Sequence, residues 1–194
     1  MRKVFVFSVL ISLVLFFGCK NASKSVDSPM DYQMSDEEYL DQGLDISAST
    51  FLALSGALRK AIKTGGLENA LAYCNENALA LTDSLSDVYD VEIKRTSLKL
   101  RNPNNRPTAD EVEILNQYEE AKNRGESLMA MLNEVSGVKK FYAPILVHDA
   151  CMKCHGSISD ISIYDSIIKH YPDDLATGYS MGDFRGMWSV TFRK

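Results

Sequence analysis

Three residues that could hold a cofactor stand close together at Cys151, Cys154 and His155, within the run CMKCH. In a C-x-x-C-H motif the two thiols add across the vinyl groups of a porphyrin, and the histidine that follows becomes an axial ligand of the iron. A redox dithiol would need a βαβ setting and a zinc site a second Cys/His pair, but Cys19 and Cys74 each stand alone. The motif therefore predicts one covalently bound haem c.

The second axial ligand of that iron has several candidates, which are Cys74, His148, His170 and the methionines, among them Met181 in a predicted loop. Cys74 lies on the apolar stripe of a predicted helix, and a small buried hydrophobe is the commonest role of a free cysteine. The two histidines are expected at the surface or around the site rather than on the iron. The residues by themselves leave this ligand open.

Arg95 and Arg101 are candidates for contacts with the haem propionates, and Arg106 is a third. Buried carboxylates need charged partners, and a guanidinium offers two parallel hydrogen bonds. The alternative for each is an exposed arginine on a solvated loop. We expect Asp173 and Asp174 to form a turn or a helix cap without a chemical role.

Composition and charge exclude several classes of protein. The chain has 194 residues, of which 45% are hydrophobic, enough for one domain and an N-terminal extension. Its net charge of −5, with dispersed lysines and arginines, offers no basic face to nucleic acid. No phosphate loop, nucleophile elbow or metal-carboxylate motif is present, so an enzyme is not expected.

The N-terminus has the pattern of a bacterial lipoprotein. Two basic residues precede the apolar run Val4–Phe17, which is short for a membrane span and typical of a signal peptide. The run ends at Gly18-Cys19, which resembles a lipobox, although the two preceding phenylalanines are bulkier than usual. We expect residues 1–18 to be removed, Cys19 to be lipidated, and residues 19–34 to form a flexible tether. A plain secretory signal and an uncleaved anchor are the alternatives.

Residues 35–194 are predicted to form one α+β domain. Helices with apolar residues at spacings of three and four are predicted from Ser35 to Gly65-Gly66, on to about Asp87, from Thr108 to near Gly125, over Ser127–Asn133 and over Ile161–Ile168. Strands are predicted over Val91–Thr96, Val138–Val147 and Gly186–Phe192, with Pro144 at an edge or bulge. With the cofactor motif in a loop, this order indicates a small antiparallel sheet.

Five segments occur in an order that resembles the PAS-like periplasmic c-type haem domains: Lys94–Asn105, Phe141–Ile145, Cys151–Gly156, Tyr171–Tyr179 and Gly182–Gly186. The resemblance covers about residues 51–192. It implies a PAS-like antiparallel sheet flanked by helices, and a role as a sensor module. It also implies that the iron is held by the motif histidine and a cysteine on an earlier helix, which here are His155 and Cys74.

Together these features predict a membrane-tethered, periplasmic or cell-envelope haem c protein that senses redox state or a diatomic gas. The alternative is an electron-transfer cytochrome c. No output domain is expected after Lys194, so a signal would pass to a redox or signalling partner. Which membrane holds the lipid is left open.

Overall fold

The computed structural model describes residues 33–193, which form four helices and a four-stranded antiparallel sheet. The elements are α1 (Asp36–Tyr89), β1 (Val91–Thr96), α2 (Ala109–Asn123), β2 (Met131–Val135), β3 (Val138–Leu146), α3 (Asp149–His155), α4 (Tyr164–His170) and β4 (Phe184–Phe192), with 3-10 turns at Pro103–Asn105 and Ile158–Asp160. The predicted α+β class and antiparallel sheet are confirmed. The signal peptide, Cys19 and nearly all of the tether lie outside the described residues. Within residues 33–193 no helix is long and apolar enough to cross a membrane.

Helix α1 consists of two segments that fold back on each other at Gly65 and Gly66, whose backbone angles are not helical. A straight helix of 54 residues would be about 80 Å long. Yet Tyr39 near one end and Tyr89 at the other pack against the same hydrophobic cluster. Both ends can reach one sheet only because the chain reverses at the two glycines. The predicted break is confirmed, as is the capping box in which the Ser35 amide donates to the Glu38 carboxylate at 2.8 Å.

The sheet has the strand order β1-β4-β3-β2 and is covered on both faces. Both segments of α1 pack on one face, in a cluster that includes Ile46, Leu54, Ala78, Ile93, Phe141, Trp188, Val190 and Phe192. Helix α2 covers the other face, in a cluster of Ile114, Leu115, Tyr118, Tyr142 and Met187. Strand β4 is therefore buried without interruption from Gly186 to Val190, although its sequence alternates.

The structure corrects the prediction that a helix resumes over Ser127–Asn133. Strand β2 begins at Met131 instead, and Leu132 pairs with Phe141 of β3. The turn between these strands is Ser136-Gly137, with both φ angles positive, the two-residue type that suits a β-hairpin. Pairing with β3 thus overrides the local helical spacing.

Pro144 lies where the prediction put it, at an edge and beside a bulge. Strand β2 pairs only as far as Tyr142, so Pro144 has no neighbour on that side, and it needs no amide hydrogen there. The register with β4 shifts between Ile145 and Leu146, one residue beyond the proline. The strand leaves the sheet at this irregularity and leads into α3.

Two glycines of α1 should respond to alanine in opposite directions. A Cβ at buried Gly43 would run into the Phe141 ring, so Gly43→Ala should lower the free energy of unfolding by about 1–3 kcal/mol. A Cβ at Gly56 would meet nothing within 4 Å, so Gly56→Ala should raise it by up to about 1 kcal/mol. Urea unfolding of dilute protein, followed by circular dichroism, measures both. If both variants changed the free energy of unfolding equally, Gly43 would not be in close contact with Phe141 as the structure shows.

Candidate functional site

Helix α3 presents the two motif cysteines and the histidine together. Cys151, Cys154 and His155 fall within its seven residues, where the prediction had placed a loop. Positions three and four apart are neighbours on a helix surface, so the two thiols and the imidazole share one side. Gly156 ends the helix by donating its amide to the Met152 carbonyl at 3.0 Å, and a Cβ on Gly156 would lie 2.7 Å from that oxygen.

The His155 ring is held in one orientation by the loop before β4. Its Nδ1 lies 2.6 Å from the Ala176 carbonyl oxygen, which can only accept, so Nδ1 carries the hydrogen and Nε2 keeps its lone pair. Burial, together with the positive charges of Arg185 and Arg101, lowers the pKa of His155 to about 3. The neutral imidazole is the form that binds a metal, and a hydrogen bond from Nδ1 to a carbonyl is the usual way a ligating histidine is oriented.

Arg101, in the loop after β1, links the motif to Asp174 in the loop before β4. Its Nη2 donates to the Cys154 carbonyl at 2.6 Å, and its Nε and Nη2 both donate to the Asp174 carboxylate at 3.0 Å. The Arg101 side chain is 12% exposed and that of Asp174 is 0% exposed. Arg101, predicted as a propionate contact, is thus largely engaged by protein groups.

Asp174 is a residue of the site that the sequence interpretation missed. The expected turn is present, since Asp174 Oδ1 accepts the Ala176 amide at 3.0 Å. The same carboxylate also neutralises Arg101, which lies 73 residues away in sequence. No local pattern signals a pairing at that separation. Its neighbour Asp173 is exposed, as expected of a turn residue.

Two further arginines give the site a surplus of positive charge. Arg95 lies over the Trp188 ring, with its guanidinium carbon 5.7 Å from the ring centroid, and pairs with no carboxylate among residues 33–193. Arg185, which the sequence interpretation did not single out, donates to Ser97 Oγ at 2.8 Å and lies over Tyr179. Burial lowers the pKa of both arginines. Only Arg101 has a carboxylate partner here, so the site suits an anionic ligand.

Cys74 lies on the second segment of α1, beside the motif. Leu71, one turn earlier, belongs to a cluster with Ile167 of α4, and Cys154 packs against that cluster. Its place on the apolar stripe of the helix predicted a fully buried side chain, but Cys74 is only half-buried. Burial raises the pKa of its thiol, while the charges of Arg95 and Arg101 act to lower it. The structure therefore brings Cys74, the motif and the arginines into one region.

The other candidate ligands are exposed side chains. Met181 is 60% exposed, and His148 is exposed at the start of α3. The Nδ1 of exposed His170 lies 2.9 Å from the Ser166 carbonyl of its own helix. Arg106, the third candidate for a propionate, is exposed as well.

These residues fit a haem c. Two thiols and an imidazole with a free Nε2 share one side of a helix, and a third thiol lies nearby. The half-buried guanidinium groups of Arg95 and Arg185 have no carboxylate partner within residues 33–193. In a haem c the two thiols would form the covalent bonds, the imidazole would bind the iron, and the propionates would complement the positive charge.

Comparison with known proteins identifies the family of this chain. The model of the Tll0287-like family, described as Tll0287, matches residues 20–193. This chain belongs to the Tll0287-like family. The crystal structure of the cyanobacterial heme-protein Tll0287 matches with a TM-score of 0.60 and 25% sequence identity, over 83% of this chain and 98% of that one. No curated protein matches. The resemblance inferred from the five sequence segments is confirmed.

Loss of the Asp174 charge should destabilise the protein strongly. In Asp174→Asn the buried Arg101 guanidinium would lack its counterion, which typically costs about 3–5 kcal/mol of unfolding free energy. The exposed neighbour Asp173 supplies the matched control, and Asp173→Asn should stay within about 0.5 kcal/mol of the wild type. Chemical denaturation of the three proteins measures the difference. A mild effect of Asp174→Asn would show that Arg101 does not depend on this carboxylate.

Proposed function

We propose that this chain is a cell-envelope haem c protein that senses redox state or a diatomic gas, rather than an enzyme. One haem would be attached through Cys151 and Cys154, with His155 and Cys74 as its axial ligands. Two observations support haem binding: the motif on α3, and the likeness to a solved structure named a heme-protein. Haem bound there supplies an iron centre that changes oxidation state and exchanges a ligand.

In this proposal the motif on α3 is held rigidly by hydrogen bonds, and Cys74 is the ligand that can move away. The hydrogen bond from His155 to Ala176 and the contact of Arg101 with Cys154 hold the motif from two directions. Cys74, by contrast, is half-buried, and within residues 33–193 its thiol makes no hydrogen bond to the backbone of the motif. Arg95, and the remaining donors of Arg101, would meet the propionates.

The position of Cys74 on α1 is the observation that favours sensing over electron transfer. Burial raises the pKa of this thiol, so a Cys74 released from a metal takes up a proton, and the proton opposes rebinding. The segment that carries Cys74 packs against α4 on one side and against the sheet on the other. A change of ligation at Cys74 would therefore act on the longest helix of the described chain. A protein that only carries electrons has no need of such a coupling.

An anaerobic optical redox titration, repeated at the reduced end point under carbon monoxide, tests this proposal. For a sensor we expect a low potential, because a thiolate stabilises ferric iron, and release of Cys74 on reduction with carbon monoxide bound in its place. A higher potential, an unchanged six-coordinate spectrum and no carbon monoxide adduct would favour the electron carrier. Cys74→Ala should change the ferric spectrum, whereas Met181→Ala and His170→Ala should not.

We also propose that Cys19 carries a lipid that tethers the protein to a membrane, where it meets a redox or signalling partner. The signal pattern before Cys19 and the export that haem c attachment requires support this location. Intact mass spectrometry of protein extracted from membranes should show a chain that begins at Cys19 and bears a lipid and one haem. Cys151→Ser with Cys154→Ser should lose only the haem mass, and Cys19→Ser only the lipid. A chain that keeps residues 1–18 would refute the lipoprotein proposal.

A further inference from the structure

The outer face of the first segment of α1 carries an exposed leucine and four exposed charged residues. The buried residues of this segment, which include Gly43, Ile46, Thr50, Leu54 and Ala61, line the side toward the sheet. At 100° per residue, Leu52 lies opposite the middle of that side. Leu52 is 64% exposed, an unusual position for a leucine at the centre of a helix face.

Charged residues flank Leu52 in two groups of opposite sign. Asp41 and Asp45 precede it, and Arg59 and Lys63 follow it, all exposed and none in an ion pair within residues 33–193. Each group places like charges four residues apart, which destabilises an isolated helix. The helix dipole does not explain the arrangement, because its effect fades within one turn and Asp45 and Arg59 lie more than a turn from the segment ends.

The two groups are symmetric about Leu52. Asp45 and Arg59 are each seven positions from it, and Asp41 and Lys63 are each eleven positions from it. We propose that two copies of this chain dimerise through this face, with their α1 segments antiparallel and Leu52 against Leu52 at the two-fold axis. Each aspartate then meets the basic residue at the mirror position of the other copy, so every charge in the stripe gains a partner.

Gly56 provides independent support for a close neighbour on this face. A glycine inside a helix is destabilising relative to alanine, and here a Cβ would meet nothing within 4 Å, so the fold itself does not require it. Its mirror position about Leu52 is Ala48, and the positions next to these two are Ser49 and Ser55, also symmetric. Small residues on both sides of the axis allow two helix backbones to approach closely.

The dimer should be weak in solution. The stripe from Asp41 to Lys63 is about 33 Å long, and a single pair of helices of that length buries less than the roughly 800 Å² per partner of a standard interface. We therefore expect a dissociation constant in the micromolar range. Tethering to one membrane would raise the local concentration of copies. The inference does not depend on the proposed haem chemistry.

Sedimentation equilibrium of the full haem-loaded protein, in density-matched detergent at roughly 1–200 µM, tests the dimer. Asp45→Arg and Arg59→Asp should each weaken association at least about tenfold, since each turns two attractive pairs into repulsive ones. The double variant should restore it, because the reversed charges again meet across the axis. All of these positions are exposed, so unchanged unfolding midpoints are the control for folding.

Restoration by the double variant separates this antiparallel dimer from other contacts. If the chains were brought together only by their lipids in one micelle, none of the three variants would change the measured association. In a parallel dimer, the double variant would not restore the association. Gly56→Leu should also abolish association, because the new side chain fills the space of the neighbouring helix. A wild type that stays monomeric at the highest concentration overturns the proposal. Binding to lipid vesicles by such a monomer, lost in Leu52→Glu, would assign the face to a membrane surface instead.

Discussion

The buried ion pair between Arg101 and Asp174 is the constraint on which the candidate site depends. It joins the loop after β1 to the turn that precedes β4, and the same guanidinium holds the Cys154 carbonyl at 2.6 Å. That turn also supplies the Ala176 carbonyl, which orients His155. One charged pair thus sets the position of the motif and the direction of its imidazole. Buried pairs seldom add much net stability, so its main contribution is the fixed geometry.

The electrostatics of the site follow from that arrangement. Asp174 neutralises one of three arginines, whereas Arg95 and Arg185 are half-buried without a carboxylate partner in the described chain, and this partial burial lowers their pKa values. Such a surplus is costly unless an anion joins it. Burial lowers the pKa of His155, and the arginine charges lower it further. Burial raises the pKa of the Cys74 thiol, and the charges of Arg95 and Arg101 oppose that rise. The site therefore has metal-binding side chains and a surplus of positive charge, which suit a cofactor that contains both a metal and carboxylates.

The fold serves this site by reversing the chain within α1. Because the helix turns back at Gly65-Gly66, one segment packs between the sheet and α4, where Cys74 lies near the motif. The other segment crosses the sheet at Gly43 and turns its charged, Leu52-centred face outward. The two segments thereby have different surroundings: the candidate cofactor region for one, and for the other the exposed face that we propose as a dimer contact.

Local sequence determined the elements whose signals are short-range. The capping box at Ser35, the break at Gly65-Gly66, the alternating Val91–Thr96 and the edge position of Pro144 all depend on neighbouring residues, and each is confirmed. The Cys151–His155 motif likewise needs only local spacing to predict its chemistry. Strand β2 was missed because its register with β3, rather than its own spacing, makes it a strand.

Only the tertiary structure decided how the site is completed. Arg101 and Asp174 are 73 residues apart, and Arg185 is 88 residues from Ser97, so no window of sequence could pair them. The charge of Arg101 can be read from the sequence, but the sequence does not show that Asp174 neutralises it. Spacing put Cys74 on a helix stripe, and the reversal of α1 brought that stripe to the motif. Periodicity and motifs report contacts within a few residues, whereas ion pairing and burial depend on how distant segments meet.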